Sequence, residues 1–281
     1  HQDGIARVWG LPGITLKALH KGVGALSDLE WGNIPDQAGS DLLAGASGGE
    51  AFVWLVGESQ DVRFELFHNG EVTDLSWCPA ALILATSSAD GCVRIWDMDP
   101  YYLYTGKTSE VSGRVNTYAT GQELVSVDWS PDSRYIVASS RVGLLRLDLD
   151  EGRLLLLNVH SSPIRGLSWS PDCASVAFII GSHEIAIYDR HQDALNRFRF
   201  DDMSLMCWLT CLDWSPDGTK IASGDIYGNI RVTDTNGRLL FTARHHEEVS
   251  CLEWSPDSRY LATGSRDRSI RIWDGDTGSP M

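Results

Sequence analysis

No apolar run in the 281 residues approaches the ~20 that a membrane-crossing helix needs. Positive charge is scarce: 23 Lys and Arg stand against 38 Asp and Glu, a formal net charge of −15. That balance disfavours nonspecific attraction to nucleic acid or to anionic membrane, because both need a basic footprint. Neither is expected as a partner. The six cysteines (Cys78, Cys92, Cys173, Cys207, Cys211 and Cys251) include no C-x-x-C pair and are too sparse for a secreted disulfide scaffold. Cys211 and Cys251 each stand three residues before a Trp, so they are expected on neighbouring strands, as buried reduced thiols rather than a bridge. No basic segment leading into an apolar stretch precedes the first repeats, so no targeting peptide is visible. A cytoplasmic setting is expected, with the nucleus as the alternative.

Catalytic constellations are also missing. There is no G-x-S-x-G elbow, and a Ser nucleophile needs a base held nearby. His183, His191, His245 and His246 lack metal-ligand spacing with cysteines or carboxylates, so neither metal nor cofactor is expected. Gly106-Lys107-Thr108 is the end of a phosphate loop, but Tyr101 stands where the leading Gly should be and no helix pattern follows. The segment from Thr105 to Asn116 reads instead as a long polar hairpin or loop available for contacts. The chain is not expected to be an enzyme.

What the chain has in quantity is tryptophan, 11 in all. Six of these close a short hydrophobic run just before a turn: Trp31-Gly32, Trp77-Cys78-Pro79, and Trp-Ser-Pro-Asp at Trp129, Trp169, Trp214 and Trp254. A recurrence of roughly 40–50 residues marks propeller blades or helical arrays. In the unit from Glu71 to Asp97, Val72, Leu75 and Trp77 line a first strand that Pro79 ends, since proline cannot donate to a ladder. Ala81 to Thr86 is a near-continuous apolar run suited to a strand covered on both faces. Ser88-Ala89-Asp90-Gly91 is turn chemistry, Val93, Ile95 and Trp96 form a third strand, and Tyr101 to Tyr104 reads as the start of a fourth. Four short strands per unit, without helical periodicity, predict an all-β propeller of four-stranded antiparallel blades.

The chain resembles the WD-repeat (WD40-type) β-propeller family, with Trp96-Asp97 and Trp273-Asp274 matching the dipeptide that names it. The resemblance implies a structural hydrogen-bonded set in each blade: His68, Thr86, Asp90 and Trp96 in one, and His245, Thr263, Asp267 and Trp273 in the last. Buried Asp and His are tolerable only when paired. Other blades depart from the pattern, with Leu147, Tyr188 and Thr233 at the Trp position, Gly48 at the Asp position, and His160 kept without its partners. Those blades are expected to rely on packing.

The whole chain reads as one domain: a partial blade over 1–22, then repeats at 23–70, 71–121, 122–162, 163–208, 209–247 and 248–281. The pattern contains 25 strands, two at the start, five sets of four and three at the end. Seven blades are preferred, with three upstream strands, about 25 residues, completing the ring and one of them supplying the outer strand of the last blade, as the resemblance implies. Six are the alternative, with the segment from Gly13 to His20 pairing with the last blade. Either way the chain is expected to be a fragment, and the last sheet to lack its outermost strand.

The implied function is a noncatalytic scaffold or sensor that binds protein segments on the propeller faces, acting as part of a larger polypeptide or complex. The alternative is a propeller attached to a hydrolase, peptidase or signalling enzyme, since Tyr188 at the Trp position is similar to the repeats of peptidase-type propellers. On one face the family geometry implies Glu71, Glu123, Arg141, His183, Asp201, Asp202, Met203, Tyr227, Glu247, Glu248 and Arg266 as contact candidates. Leu205 and Met206 either join that contact or fill the gap left by a missing His. The Ser-Pro-Asp turns are implied to open on the other face. The net negative charge suits a basic protein partner, or is a solvated acidic surface and no more.

Overall fold

The computed structural model describes residues 5–10, 15–21, 26–33, 41–56, 63–98, 115–157, 163–200 and 208–281. Its regular structure consists of 25 β-strands among the described residues. β1 (Ile5–Gly10) and β2 (Thr15–Lys21) form a separate antiparallel pair. Four-stranded antiparallel meanders follow: β3 (Leu26–Asn33), β4 (Asp41–Ser47), β5 (Glu50–Val56), β6 (Arg63–Phe67), then β7 (Val72–Trp77), β8 (Ile83–Ser88), β9 (Cys92–Asp97), β10 (Val115–Ala119). Next are β11 (Leu124–Trp129), β12 (Tyr135–Ser140), β13 (Leu144–Asp148), β14 (Arg153–Leu157), and β15 (Ile164–Trp169), β16 (Ser175–Ile180), β17 (Glu184–Asp189), β18 (Ala194–Phe198). A fifth holds β19 (Leu209–Trp214), β20 (Lys220–Asp225), β21 (Asn229–Asp234) and β22 (Leu239–Arg244), and a three-stranded sheet of β23 (Val249–Trp254), β24 (Tyr260–Ser265) and β25 (Ile270–Asp274) ends the series.

The fold is an all-β propeller of antiparallel blades, with six blade sheets among the described residues, the lower of the two counts the sequence allows. One strand differs from expectation, and the last sheet has the three strands expected of it. The fourth strand of the second complete blade is Val115–Ala119, with Val115 opposite Trp96, whereas Tyr101 to Tyr104 lie outside the described residues. The edge beside β25 is partly occupied by the chain itself: Trp273 pairs with Pro280, and the Met281 N–H donates to the Ile272 carbonyl at 3.0 Å. Proline fits such an outer position because no ladder donor is required of it there.

Burial follows strand rank. β8, β12, β16 and β20 are each buried at all but their first residue, as expected of strands covered on both faces, whereas the fourth strands β10, β14, β18 and β22 hold only half-buried and exposed residues. The chain divides into two compact units, residues 1–140 with 146–155 and residues 141–145 with 156–281. In the first, Leu42, Val53, Phe64 and Leu66 pack with Val72, Trp77, Leu84 and Trp96, so two successive sheets share one core. In the second, Ile179, Ile187 and Phe200 pack with Leu209 and Trp214, and Ile230 and Val232 with Val249, Trp254 and Trp273.

A second device joins successive sheets. The first strands β7, β11, β19 and β23 each have one edge outside their own ladder, and the preceding blade supplies acceptors for N–H groups there. Glu30 Oε2 accepts from the Trp77 N–H at 3.0 Å, Asp28 Oδ2 from Leu75 at 3.3 Å and Asp74 Oδ2 from Val127 at 2.9 Å. In the second unit Ser168 Oγ accepts from Trp214 and Asp213 Oδ2 from Trp254, both at 3.0 Å. The acceptors sit one or three residues before the repeat Trp, where alternation brings them to one side of the strand. Turns are latched similarly. Ser133 and Ser258, both at positive φ, accept from the N–H of Ala80 and Asp217 in the preceding blade.

Candidate functional site

Register determines which loops share an end of each sheet. Val72 pairs with Ser88, Leu209 with Asp225 and Val249 with Ser265, so the loop entering the first strand emerges beside the turn between the second and third. Backbone bonds tie loop to turn: Ala89 N–H to Glu71 carbonyl at 2.8 Å, Ile226 to Trp208 at 2.9 Å and Arg266 to Glu248 at 2.9 Å. Side chains on these segments are therefore presented from a fixed backbone.

Beneath this end lie two polar sets. His68 Nε2 and the Trp96 indole N–H meet the Thr86 hydroxyl at 2.7 and 2.8 Å. Asp90 Oδ2 accepts from the Asn69 N–H and the Arg94 guanidinium at 3.0 and 2.8 Å, and Arg94 also touches His68 Nδ1. Burial, with Arg94 beside the ring, pushes the His68 pKa down to about 4. In the last blade His245 bridges Thr263 at 2.8 Å and Asp267 at 3.0 Å, and the Trp273 indole donates to Thr263 at 2.8 Å. The Ser269 hydroxyl and the His246 N–H hold Asp267 well below the usual carboxylate range. Each set thus includes a third-strand Arg absent from the four-residue pattern, since Arg271 lies 3.5 Å from Asp267.

The blade of β19 to β22 does more than pack. Tyr227 stands where Asp90 and Asp267 stand in their blades, and the carboxylate has moved two residues back, to Asp225 at the end of β20. Asp225 Oδ2 accepts from Arg231 at 2.8 Å and from the Asn229 amide at 2.8 Å, and its Oδ1 accepts from the Tyr227 and Asn229 N–H groups. The Asp–Arg pair survives, fully covered. The Tyr227 side chain is released to the surface, 47% exposed. Elsewhere Tyr188, at another Trp position, is buried and donates to Asp193 at 2.8 Å.

Among the contact candidates, Glu71, Glu123, Arg141, Tyr227, Glu247 and Arg266 are exposed, while His183 and Glu248 are half-buried. Glu248 and Arg266 form an ion pair at 3.1 Å. Gly228, at φ +85°, brings the Tyr227 turn against the next loop: a Cβ there would lie 2.6 Å from the carbonyl oxygens of His245 and Glu247. Asp201, Asp202 and Met203 lie outside the described residues, as do Leu205, Met206 and His160. Trp208, absent from the sequence-derived set, is 52% exposed beside the Tyr227 turn. The signals that could have found these features are Tyr227 in a turn-Asp position and Arg231 in register with Arg94 and Arg271.

At the opposite end, the Ser-Pro-Asp turns close on themselves. Ser170 and Ser255 donate to Asp172 and Asp257, holding both carboxyls below the usual range. Cys78, Cys92, Cys173, Cys211 and Cys251 are not disulfide-bonded, and burial pushes the Cys211 thiol up to about 12. Cys251, expected to be buried, is exposed on β23, a strand with a more open face than β19. Among the described residues, no group of three or more His, Cys, Asp or Glu is placed to hold a metal ion.

Residues 62–97, 204–234 and 237–274 match the WD domain, G-beta repeat. Meiotic recombination protein rec14 of Schizosaccharomyces pombe is 29% identical over 146 residues, covering 50% of this chain and 45% of that protein. Periodic tryptophan protein 2 of Arabidopsis thaliana is 25% identical over 218 residues, 75% of this chain and 23% of that protein. Chromatin assembly factor 1 subunit FAS2 homolog of Oryza sativa subsp. japonica is 23% identical over 192 residues, 65% of this chain and 33% of that protein. The chain spans less than half the length of each of these relatives. Blades of four antiparallel strands, the His–Thr–Trp sets within two of them and the three matched repeats make the fold a β-propeller that carries WD repeats.

Proposed function

We propose that the chain is a noncatalytic protein-interaction module, a scaffold or sensor that holds protein segments at the end of its blades where the first strand begins. The observation that carries this reading is the backbone bonding of loop to turn at that end, repeated at Glu71, Trp208 and Glu248, beneath exposed charged and aromatic side chains. Such a surface loses little entropy on binding because its backbone is already ordered. Relatives named for meiotic recombination and for chromatin assembly support a nuclear setting, in place of the cytoplasm that the thiols and the lack of a targeting peptide suggested.

Cross-linking mass spectrometry on the protein with partners that co-purify from nuclear extract tests the reading. Cross-links to partners are expected around Glu71, Glu123, Tyr227, Glu247 and Arg266. If they concentrate instead at the Ser-Pro-Asp turns around Asp132, Asp172, Asp217 and Asp257, the binding end is misassigned. If no partner co-purifies under conditions that retain other nuclear assemblies, the scaffold reading fails.

A further inference from the structure

The blade that lacks both the family His and the turn Asp exposes two aromatic rings where its neighbours carry charge or small residues. Trp208 occupies the position of Glu71 and Glu248, and Tyr227 that of Asp90 and Asp267. They are 52% and 47% exposed. Two backbone bonds hold Trp208 in place: its carbonyl accepts from Ile226 at 2.9 Å, and the adjacent Leu209 N–H donates to the Ser182 carbonyl at 2.7 Å. The Tyr227 turn is anchored below by Asp225 and beside by the His245 N–H, which donates to the Gly228 carbonyl at 2.8 Å. Neither ring is required by the core.

The neighbouring charges choose the partner. Glu247 is exposed in the loop against which the Tyr227 turn packs, and Glu248 adjoins it, half-buried and paired with Arg266. Among the described residues, His183 and His246 are further titratable groups at this rim, on the Trp208 side and the Glu247 side respectively. Exposed indole and phenol faces attract cations, Arg above all, and a carboxylate at the margin adds a charge-assisted hydrogen bond. The chain as a whole carries −15. We propose that Trp208 and Tyr227 form an aromatic platform, bordered by Glu247, that binds an arginine-bearing protein segment. The proposal rests on the scaffold reading and names the chemistry of its partner.

The test uses fluorescence anisotropy with three labelled peptides of about 12 residues, otherwise Gly and Ser, bearing spaced Arg, spaced Lys or spaced Glu. A random-sequence peptide array is screened alongside. The Arg peptide is expected to bind, the Lys peptide more weakly, and the Glu peptide not at all. Trp208→Ala and Tyr227→Ala should each weaken the Arg peptide about tenfold and Glu247→Gln a few-fold, with melting temperatures unchanged, whereas Trp208→Phe retains most of the affinity. Equal binding of the Arg peptide to the parent and the alanine variants overturns the platform and leaves the scaffold reading standing. Array hits without cationic residues, lost in Trp208→Ala, keep the surface but overturn the arginine assignment. No binding by any peptide overturns both.

Discussion

Asp225 and Arg231 show how a repeat can lose its pattern and keep its physics. Both side chains are covered, so removing Arg231 leaves Asp225 a buried carboxylate without its guanidinium counter-charge. Arg231→Met should cost about 3–5 kcal/mol in urea denaturation. Arg271→Met, at the equivalent place but with a half-exposed guanidinium, should cost clearly less. Similar losses would remove the argument from burial. Two other buried groups set opposing pH dependences. His68, lowered from 6.5 to about 4, is neutral in the fold while the unfolded chain takes up the proton, so its contribution is complete above pH 6.5 and is lost as pH falls toward 4. Asp213 is raised from 3.8 to about 6 by burial, against the hydrogen bonds it receives, so the fold binds the extra proton and this group penalises stability as pH rises from 3.8 to 6. Asp213→Asn removes that penalty. Relative to the parent it should gain roughly 3 kcal/mol between pH 4 and pH 8, read from denaturation midpoints at both. A pH-independent difference would mean that Asp213 is ionised throughout.

First strands are where one blade depends on the next. Ser168 on β15 accepts the Trp214 N–H and donates to Asp213, which accepts the Trp254 N–H, so three successive first strands are linked through two side chains. Ser168→Ala should cost about 1–3 kcal/mol, the penalty of an unsatisfied buried N–H. It should also move Asp213 titration further upward, because the Ser168 hydroxyl lowers that pKa. Loss of stability without movement of the titration, followed by carboxyl NMR, would break the proposed linkage. Strand identity was legible because the Trp spacing, Pro79 and the Ser-Pro-Asp turns are local signals. The acceptors on the first strands were not, since Asp28, Glu30 and Ser168 read as ordinary polar alternation until register shows which N–H each one meets. Asp225 was missed because a carboxylate moved by two residues leaves the motif while the strand geometry still returns it to Arg231. β10 was misplaced because Tyr101 to Tyr104 have as much strand propensity as Val115 to Ala119, and propensity alone does not select the partner of β9.

At the scale of the whole molecule, charge and contact separate by range. A chain at −15 draws a cationic segment from a distance, and that attraction fades over a screening length of about 10 Å at 0.1 M salt. Stacking on Trp208 and Tyr227 acts only at contact and is little screened. Raising salt from about 50 to 500 mM should therefore weaken the Arg peptide roughly tenfold, mainly through a slower association rate. The loss caused by Trp208→Ala should persist at both salt concentrations and appear chiefly in the dissociation rate. Stopped-flow association and dissociation of the labelled peptide in parent, Trp208→Ala and Glu247→Gln resolve the two. Glu247→Gln should reduce the salt dependence of association, and Trp208→Ala should leave it intact. If Trp208→Ala instead removes the salt dependence, the ring acts through the placement of neighbouring charges. The surface would then be an acidic patch with an aromatic support, not an aromatic platform with an acidic border.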